Sequence, residues 1–197
     1  QSDEAPPRFG LFESQIDDAM NKDMQAALAH AAKRAQAWGA PVRKVEEPEA
    51  IKLAHAAHAP ISDFEACHAL AFERMNHADL LSDKLRDYLR EAELVTPDIY
   101  DDARRTANRA RKASGLLFEN CDVLLVPSST GAAPKGLEFT GDSVFNRLWT
   151  LLGMPCVNVA GLADEDGLPL GIQIVAPFGQ DAKALQAAHW LETRLTR

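Results

Sequence analysis

The first fifty residues alternate short apolar runs with one long helical stripe. Residues 8–13, RFGLFE, form an apolar run suited to a strand, and in residues 20–38 the apolar positions recur at the spacing of an α-helix. Gly39 and Pro41 predict the end of that helix. Residues 41–47, PVRKVEE, then alternate apolar and charged positions, as an exposed or edge strand does. The pattern predicts a strand–helix–strand unit at the start of an α/β fold.

The next segment, residues 48 to about 119, is rich in Ala, Glu, Arg and Lys and mainly helical in its spacing. We expect breaks near Pro60, near Leu81–Ser82 and at Thr96–Pro97. Thr96 is suited to cap a helix that has Pro97 at its first position. The apolar face of that helix is expected to comprise Ile99, Ala103, Ala107, Ala110, Ser114 and Leu117.

Strand patterns return after residue 120. Residues 121–127, CDVLLVP, form a continuous apolar run typical of a buried strand, and residues 128–143 have the composition of a long loop. Ser143 is suited to cap a helix, and Gly153 with Pro155 predicts where that helix ends. Its buried face is expected to comprise Phe145, Leu148, Trp149 and Leu152.

Two strands and a final helix are expected to complete the chain. The runs CVNVA and LGIQIVA flank Asp166–Gly167, a strong turn signal, so we expect antiparallel pairing. Asp181 opens a helix whose apolar side is expected to comprise Leu185, Ala188, Leu191 and Leu195. We therefore expect a single α/β domain over residues 1–197. A helical segment occupies about 50–120, and sheet strands with helices occupy 121–197.

Composition limits the possible partners. The 197 residues carry a formal net charge of −8, with Lys and Arg scattered among the acids, which argues against nucleic acid or an anionic membrane as partner. No apolar run approaches the roughly 20 residues of a membrane span, and no signal peptide is visible. The three cysteines are widely spaced, so we expect reduced thiols in a cytoplasmic protein. Cys156 is expected to be an inert thiol in a core strand.

Few residue patterns point to chemistry. The sequence contains neither the His and Cys spacing of a zinc site nor a phosphate-binding glycine pattern, so we expect no metal and no cofactor. Two serines follow the buried strand, where exposed residues of α/β proteins often meet ligands, but no Gly-x-Ser-x-Gly elbow surrounds them. A polar loop is favoured over a nucleophile, whereas contact with substrate stays open. We assign no catalytic residue, and the candidate substrate-binding residues are Ser128, Ser129, Thr130, Phe145 and Trp149.

Three segments, taken in order, resemble the C-terminal third of the amidase-signature hydrolases. They are CDVLLVPSSTGAAP from residue 121, FNRLWTLLGMPCVNVAG from residue 145 and GLPLGIQIVAPFGQDAKALQAAHWLE from residue 167. The run RFGLFES, with the helix and strand after it, is similar to the strand–helix–strand that follows the family's catalytic core. Ala160 departs from the family pattern, because many relatives carry Pro there. The helical segment matches only in general character.

The resemblance implies a mixed β-sheet flanked by helices and the hydrolysis of a small-molecule amide. In the family, a nucleophilic Ser is connected through a second Ser, which lies in a cis peptide, to a neutral Lys that serves as the base. A Gly-Ser-rich loop supplies the oxyanion hole. That signature lies upstream of the matched region and is absent from this sequence, which begins with Gln1 rather than Met. The chain is therefore expected to be the C-terminal part of an amidase, inactive alone, whose partner is the missing N-terminal catalytic part. The family's variable helical segment helps to select the substrate.

A second hypothesis belongs to another functional class. The chain would then be a catalytically inactive binding or regulatory module, or a subunit that pairs with a separate catalytic chain. Under either hypothesis an isolated half-domain exposes surface that its missing part would cover, so we expect a homo-oligomer.

Overall fold

The computed structural model describes residues 5–195, and its first three long elements form the expected unit. Strand β1 (Phe9–Glu13), helix α1 (Lys22–Ala37) and strand β2 (Val42–Glu46) follow one another, and β1 pairs with β2 in parallel. Asn21 caps α1, since its side chain accepts a hydrogen bond from the backbone N–H of Met24. Strand β2 lies at one edge of the sheet, as its alternating pattern predicts.

The middle of the chain is helical, as expected. It contains α2 (Glu49–His55), α3 (His58–Ala69), α4 (Ala71–Asn76), α5 (Asp83–Ala92) and α6 (Pro97–Ala113). The expected break near Pro60 is confirmed, because α2 ends at His55 and α3 begins at His58. Pro60 itself lies in the first turn of α3, where proline is tolerated because that N–H has no helical partner. The other expected breaks are confirmed by side-chain caps from Ser82 to α5 and from Thr96 to α6.

The buried face of α6 is narrower than the sequence predicts. Ala103, Ala107 and Ala110 are buried, as is Leu117 in the 3-10 turn that follows. Ile99, however, is 47 % exposed. It lies in the first turn of α6, at the end of the stripe.

Three further strands complete a mixed five-stranded sheet. Strand β3 (Val123–Pro127) pairs in parallel with β1, whereas β5 (Pro169–Val175) pairs antiparallel with both β3 and β4 (Cys156–Ala163). The strand order is β2-β1-β3-β5-β4. All five residues of β3 are buried, which agrees with its continuous apolar run. The expected antiparallel pairing of the last two strands is confirmed.

Helices cover both faces of the sheet. Helix α1 and α8 (Asp181–Leu195) pack on one face, and α2, α6 and α7 (Val144–Leu152) pack on the other. Helix α7 ends at Gly153, which adopts the left-handed conformation with φ +70°.

Two details of α7 and α8 differ from expectation. Ser143 occupies the N-cap position of α7, but its hydroxyl makes no capping bond because its backbone is not extended. Asp142 Oδ1 instead accepts a hydrogen bond from the N–H of Val144, at 3.0 Å. In α8, Leu185 is 60 % exposed. It precedes the buried Leu191 by six residues, and this separation puts the two side chains about 120° apart around the helix axis. Ala184 takes its place in the core.

No helix within residues 5–195 is long and apolar enough to cross a membrane.

Candidate functional site

A narrow crevice opens where the parallel strands β1 and β3 end. Open α/β sheets commonly bind ligands beyond the carboxyl ends of their strands. The space accessible to the centre of a water molecule is about 10 Å³, roughly that of one water. The lining residues are Phe12, Ser14, Ile16 and Asp17 from β1 and its following turn, His55 from α2, Val126 and Pro127 from β3, and Phe145, Leu148 and Trp149 from α7.

Aromatic side chains form the apolar wall of the crevice. The rings of Phe12 and Trp149 meet edge to face, with centroids 5.2 Å apart, a favourable geometry for such pairs. Phe145 lies on the same helix as Trp149, and both are buried. The helical spacing predicted by the sequence therefore directs both rings into the core at the crevice.

We call Ser14, Asp17 and His55 of the lining, together with the buried Glu47 that pairs with His55, the polar end of the crevice. Nε2 of His55 lies 2.6 Å from Oε1 of Glu47, and the two side chains are only 14 % and 1 % exposed. The other carboxylate oxygen, Oε2, accepts hydrogen bonds from Ser14 Oγ at 3.1 Å and from the backbone N–H of Gln15 at 3.0 Å. Glu47 thus joins the end of β2 to the turn after β1 and to α2.

These contacts keep Glu47 ionised in spite of its burial. Burial raises the pKa of the Glu47 carboxyl, but hydrogen bonds from His55, from the Gln15 N–H and from Ser14, together with the electrostatic attraction of His55, outweigh it. The net pKa lies below its ordinary value. An ionised carboxylate can only accept hydrogen bonds, so all three of its partners act as donors.

Asp17 supplies the carboxyl group that lines the crevice directly. Its Oδ2 accepts a hydrogen bond from the N–H of Ser14, at 3.0 Å. Burial raises the pKa of Asp17, the bond from Ser14 opposes that rise, and the nearby carboxylates of Glu47 and Glu13 add to it. No Lys or Arg side chain is among the residues that line the crevice in residues 5–195.

The loop that follows β3 lies beside the crevice rather than in its lining. Ser128 Oγ donates to the carbonyl of Gly171 at 2.7 Å, and Ser129 Oγ donates to the carbonyl of Gly131 at 2.7 Å. The carbonyl of Thr130 accepts from the N–H of Asn21, at the start of α1. No Lys or His side chain bonds to either serine hydroxyl in the described part of the chain, so these contacts do not form a nucleophile–base pair.

The structure thus divides the five candidate substrate-binding residues into two groups. Phe145 and Trp149 line the crevice. The loop residues 128–130 are not among its lining residues, although Pro127, the residue directly before them, is. Asn146 connects the groups, because its Nδ2 donates to the carbonyl of Ser128 at 3.0 Å. Asn146 was not predicted from the sequence, although its place next to Phe145 on α7 was a usable signal.

The polar end of the crevice was not predicted from the sequence either. Ser14, Asp17, Glu47 and His55 come from three elements, and no spacing pattern unites them. The one available signal was their position, since Ser14 directly follows the first strand of the expected strand–helix–strand unit and Glu47 is the last residue of its second strand.

Cys156 is not among the residues that line the crevice in the described part of the chain. Cys156 is exposed on strand β4 and is not a core residue as expected, because β4 is an edge strand. The surrounding protein nevertheless shelters the thiol, and burial raises its pKa to about 11, which disfavours the reactive thiolate. Among residues 5–195, no group of three or more His, Cys, Asp or Glu side chains is arranged to hold a metal ion.

Comparison with known proteins identifies the family of the chain. The sequence profile of the Amidase family matches residues 1–185. The chain belongs to the amidase-signature family. Among its curated relatives, AmiA2 of Mycobacterium tuberculosis is 26 % identical over 132 residues, which cover 61 % of this chain and 27 % of that protein. A glutamyl-tRNA(Gln) amidotransferase subunit of Thiobacillus denitrificans is 38 % identical over 79 residues, covering 36 % of this chain and 16 % of that protein.

Solved structures of amidase-signature enzymes share the fold. A crystal structure of an amidase matches with a TM-score of 0.83 and 22 % identity, and the match covers 97 % of this chain and 46 % of the amidase. An inhibitor-bound structure from a vestigial protein complex, described with an s-triazine catabolic enzyme, also has a TM-score of 0.83 and 22 % identity and is covered to 44 %. The amidase-signature chain thus spans less than half the length of these proteins.

Proposed function

We propose that this chain is the C-terminal part of an enzyme that hydrolyses a small-molecule amide to a carboxylate and ammonia or an amine. It contributes the sheet core and one wall of the substrate pocket, while the catalytic Ser–Ser–Lys group belongs to residues outside 1–197. The family match over residues 1–185 carries the proposal. The coverage of less than half of the similar solved chains supports the division into two parts.

The chemistry of amide hydrolysis supports the same division of roles. A serine attacks the amide carbonyl only if a base takes its proton and backbone N–H groups stabilise the oxyanion. Ser128 and Ser129 are instead bonded to carbonyl groups of their own fold. We therefore assign Ser128, Ser129, Thr130, Phe145 and Trp149 to substrate contact and to the shape of the pocket wall, and none of them to the nucleophile.

A second candidate function is a module or subunit without catalytic residues that pairs with a separate catalytic chain. Two similar proteins support this second candidate. One is named as an amidotransferase subunit, and the other comes from a protein complex. Gene context separates the candidates. An upstream in-frame segment with a Lys and a Gly-Ser-rich motif supports the enzyme part, whereas a Met codon directly before Gln1 supports the module.

Activity measurements test the proposal. We expect the gene product that contains residues 1–197 to release ammonia or amine from small amides and to react with a fluorophosphonate probe outside these residues. The 197-residue chain alone is expected to hydrolyse no amide and to take up no probe. A probe adduct mapped to Ser128 or Ser129 would contradict the assignment of the nucleophile. Activity that appears only when the chain is mixed with a second protein would favour the second candidate.

Self-association in the cytoplasm is part of the proposal. Strand β4 forms an edge of the sheet, and Val159 is its only buried residue, so its backbone is open to pairing with another strand. The free cysteines agree with a reducing compartment. Light scattering on the 197-residue chain is expected to show a dimer or larger species, and a monomer at high concentration would contradict this expectation.

A further inference from the structure

The two edge strands of the sheet differ in their charge. The exposed residues of β2 are Arg43, Lys44 and Glu46. In addition, Lys44 forms an ion pair with Glu13 of the neighbouring strand. Strand β4 and its neighbour β5, in contrast, contain no charged residue. Because charged side chains on an edge strand deter its pairing with another strand, edge β2 is protected against pairing and edge β4 is not.

One face of β4 is also uncovered. Helix α8 packs on the other face, where Val157 and Val159 contact the core. The alternate side chains of Cys156, Asn158 and Ala160 lie on the opposite face and are exposed. We call these three residues the bare face of β4. On the same side of the sheet, β1 and β3 are covered by α2, α6 and α7, so the bare face continues a surface that is covered elsewhere.

A buried amide at the border of the bare face lacks an acceptor. In the strand pairing, Gln173 of β5 lies between Val126 of β3 and Asn158 of β4. Its side chain is on the side of the bare face, because Ile172 and Ile174 belong to the core under α1 and α8. Gln173 is 6 % exposed, and its Nε2 has no hydrogen-bond partner in the described part of the chain. Buried donors without an acceptor are rare in native proteins, so the unpaired amide marks an incomplete face.

We propose that the part of the enzyme outside residues 1–197 joins the chain at β4. One strand of that part pairs with the edge of Cys156–Val159, the stretch that pairs regularly with β5, and a polar group of that part accepts a hydrogen bond from Gln173. The proposal rests on the proposed function, which assigns the catalytic residues to that part. The matched region covers only 44 % and 46 % of two similar solved chains, so the joining part is large enough to extend a sheet.

The chemistry of the surface restricts the joining segment. A charged side chain placed against the bare face would be buried without a partner of opposite charge, which is costly. The segment is therefore expected to be uncharged where it contacts Asn158 and Gln173. In the isolated 197-residue chain the same edge stays open, which agrees with the self-association expected above.

Hydrogen–deuterium exchange of the gene product that contains residues 1–197 tests the joint. In an edge strand, alternate backbone N–H groups point away from the sheet and exchange readily, whereas a strand paired on both sides protects them all. We expect the outward N–H groups of Cys156–Val159 to exchange about tenfold more slowly than those of β2, the factor of one net hydrogen bond. Equal exchange rates at the two edges would overturn the proposal.

Substitution of Gln173 in the same gene product tests the hydrogen bond. Gln173→Met removes the donor with little change of shape, and loss of the bond is expected to lower the melting temperature by about 1–4 °C. Gln173→Glu, which only accepts hydrogen bonds when ionised, is expected to lower it further. A donor that stays unpaired in the whole protein predicts an unchanged or higher melting temperature for Gln173→Met, which would contradict the proposal. Gln36→Met, at an exposed glutamine of α1, is the matched control.

The outcomes separate the inference from the proposed function. Amide hydrolysis by a gene product whose β4 exchanges as fast as β2 overturns the inference and leaves the proposed function standing. A protected β4 in a gene product that hydrolyses no amide supports the inference and counts against the proposed function. Protection that appears only at high protein concentration, or only with an added second chain, identifies another occupant of β4 and overturns the inference.

Discussion

Replacing Glu47 by Ala tests whether one buried carboxylate organises the polar end of the crevice. The side chain is 1 % exposed and accepts three hydrogen bonds, from His55 Nε2, Ser14 Oγ and the N–H of Gln15. The substitution removes all three acceptor contacts at once. It also leaves donors of two neighbouring elements without partners.

The magnitude follows from these contacts. A hydrogen bond to a charged group contributes about 1.5–3 kcal/mol, and removal of a partner from a buried donor costs about 1–3 kcal/mol. Adding these values over all three bonds overestimates the loss of stability, because Ser14 and Gln15 are near enough to the surface to form hydrogen bonds with water in the variant. We therefore expect the free energy of unfolding to fall by about 3 kcal/mol.

Urea denaturation at neutral pH measures this loss, and Glu46→Ala is the matched control. Glu46 is the adjacent residue but is exposed, and exposed substitutions usually change stability by at most about 0.5 kcal/mol. Equal, small losses in both variants would refute the role given to Glu47.

Acid pH provides a further check on the same variant. The pKa of Glu47 is below its ordinary value of 4.5 in the folded chain. Its stabilising effect is therefore complete above pH 4.5 and is lost as the pH falls through the lower, folded pKa. The stability difference between wild type and Glu47→Ala is expected to shrink in that acidic range. A difference that is constant from pH 7 to pH 3 would contradict an ionised Glu47.

Three other predictions test the fold and the site. Leu191→Ala, at a fully buried position of α8, is expected to lower the free energy of unfolding by about 2–5 kcal/mol. The control Leu185→Ala, at an exposed position of the same helix, is expected to change it by at most about 0.5 kcal/mol. Urea denaturation compares the two variants. Gly153→Ala places a side chain at φ +70° and is expected to cost about 1–2 kcal/mol by the same assay. Burial raises the pKa of Asp17, so ionisation of this carboxyl opposes folding as the pH rises above 3.8. Asp17→Asn is therefore expected to raise the melting temperature at pH 7 more than at pH 3. An equal rise at both pH values would contradict this.

The elements that sequence predicts well are those that local patterns determine. The continuous apolar run of β3, the Thr96 cap and the Gly153 stop each act within a few residues, and the structure contains all three. Errors arise where a local rule has two outcomes. A serine such as Ser143 can occupy an N-cap position without making the capping bond, and a leucine such as Leu185 can lie at the edge of a helical stripe.

The polar end of the crevice could not be predicted in this way. Glu47 and His55 are eight residues apart and separated by the start of a helix, and Asp17 reaches the same site from a turn after another strand. Their meeting depends on how α2 packs against the sheet, which is a long-range property. The aromatic wall was accessible to sequence analysis because Phe145 and Trp149 share a helix face.

The position of Glu47 connects the stability of the fold to the shape of the crevice. The carboxylate that orients His55 also fastens α2 to the turn after β1, and Ile51 and Ala54 of α2 are fully buried in the core behind the crevice. Helix α2 therefore cannot move without disturbing the sheet. Of the helical segment from α2 to α6, only α2 contributes a side chain to the lining within the described residues. If this segment selects the substrate, substitutions at its first helix will change specificity, and substitutions on the exposed faces of α4 and α5 will not.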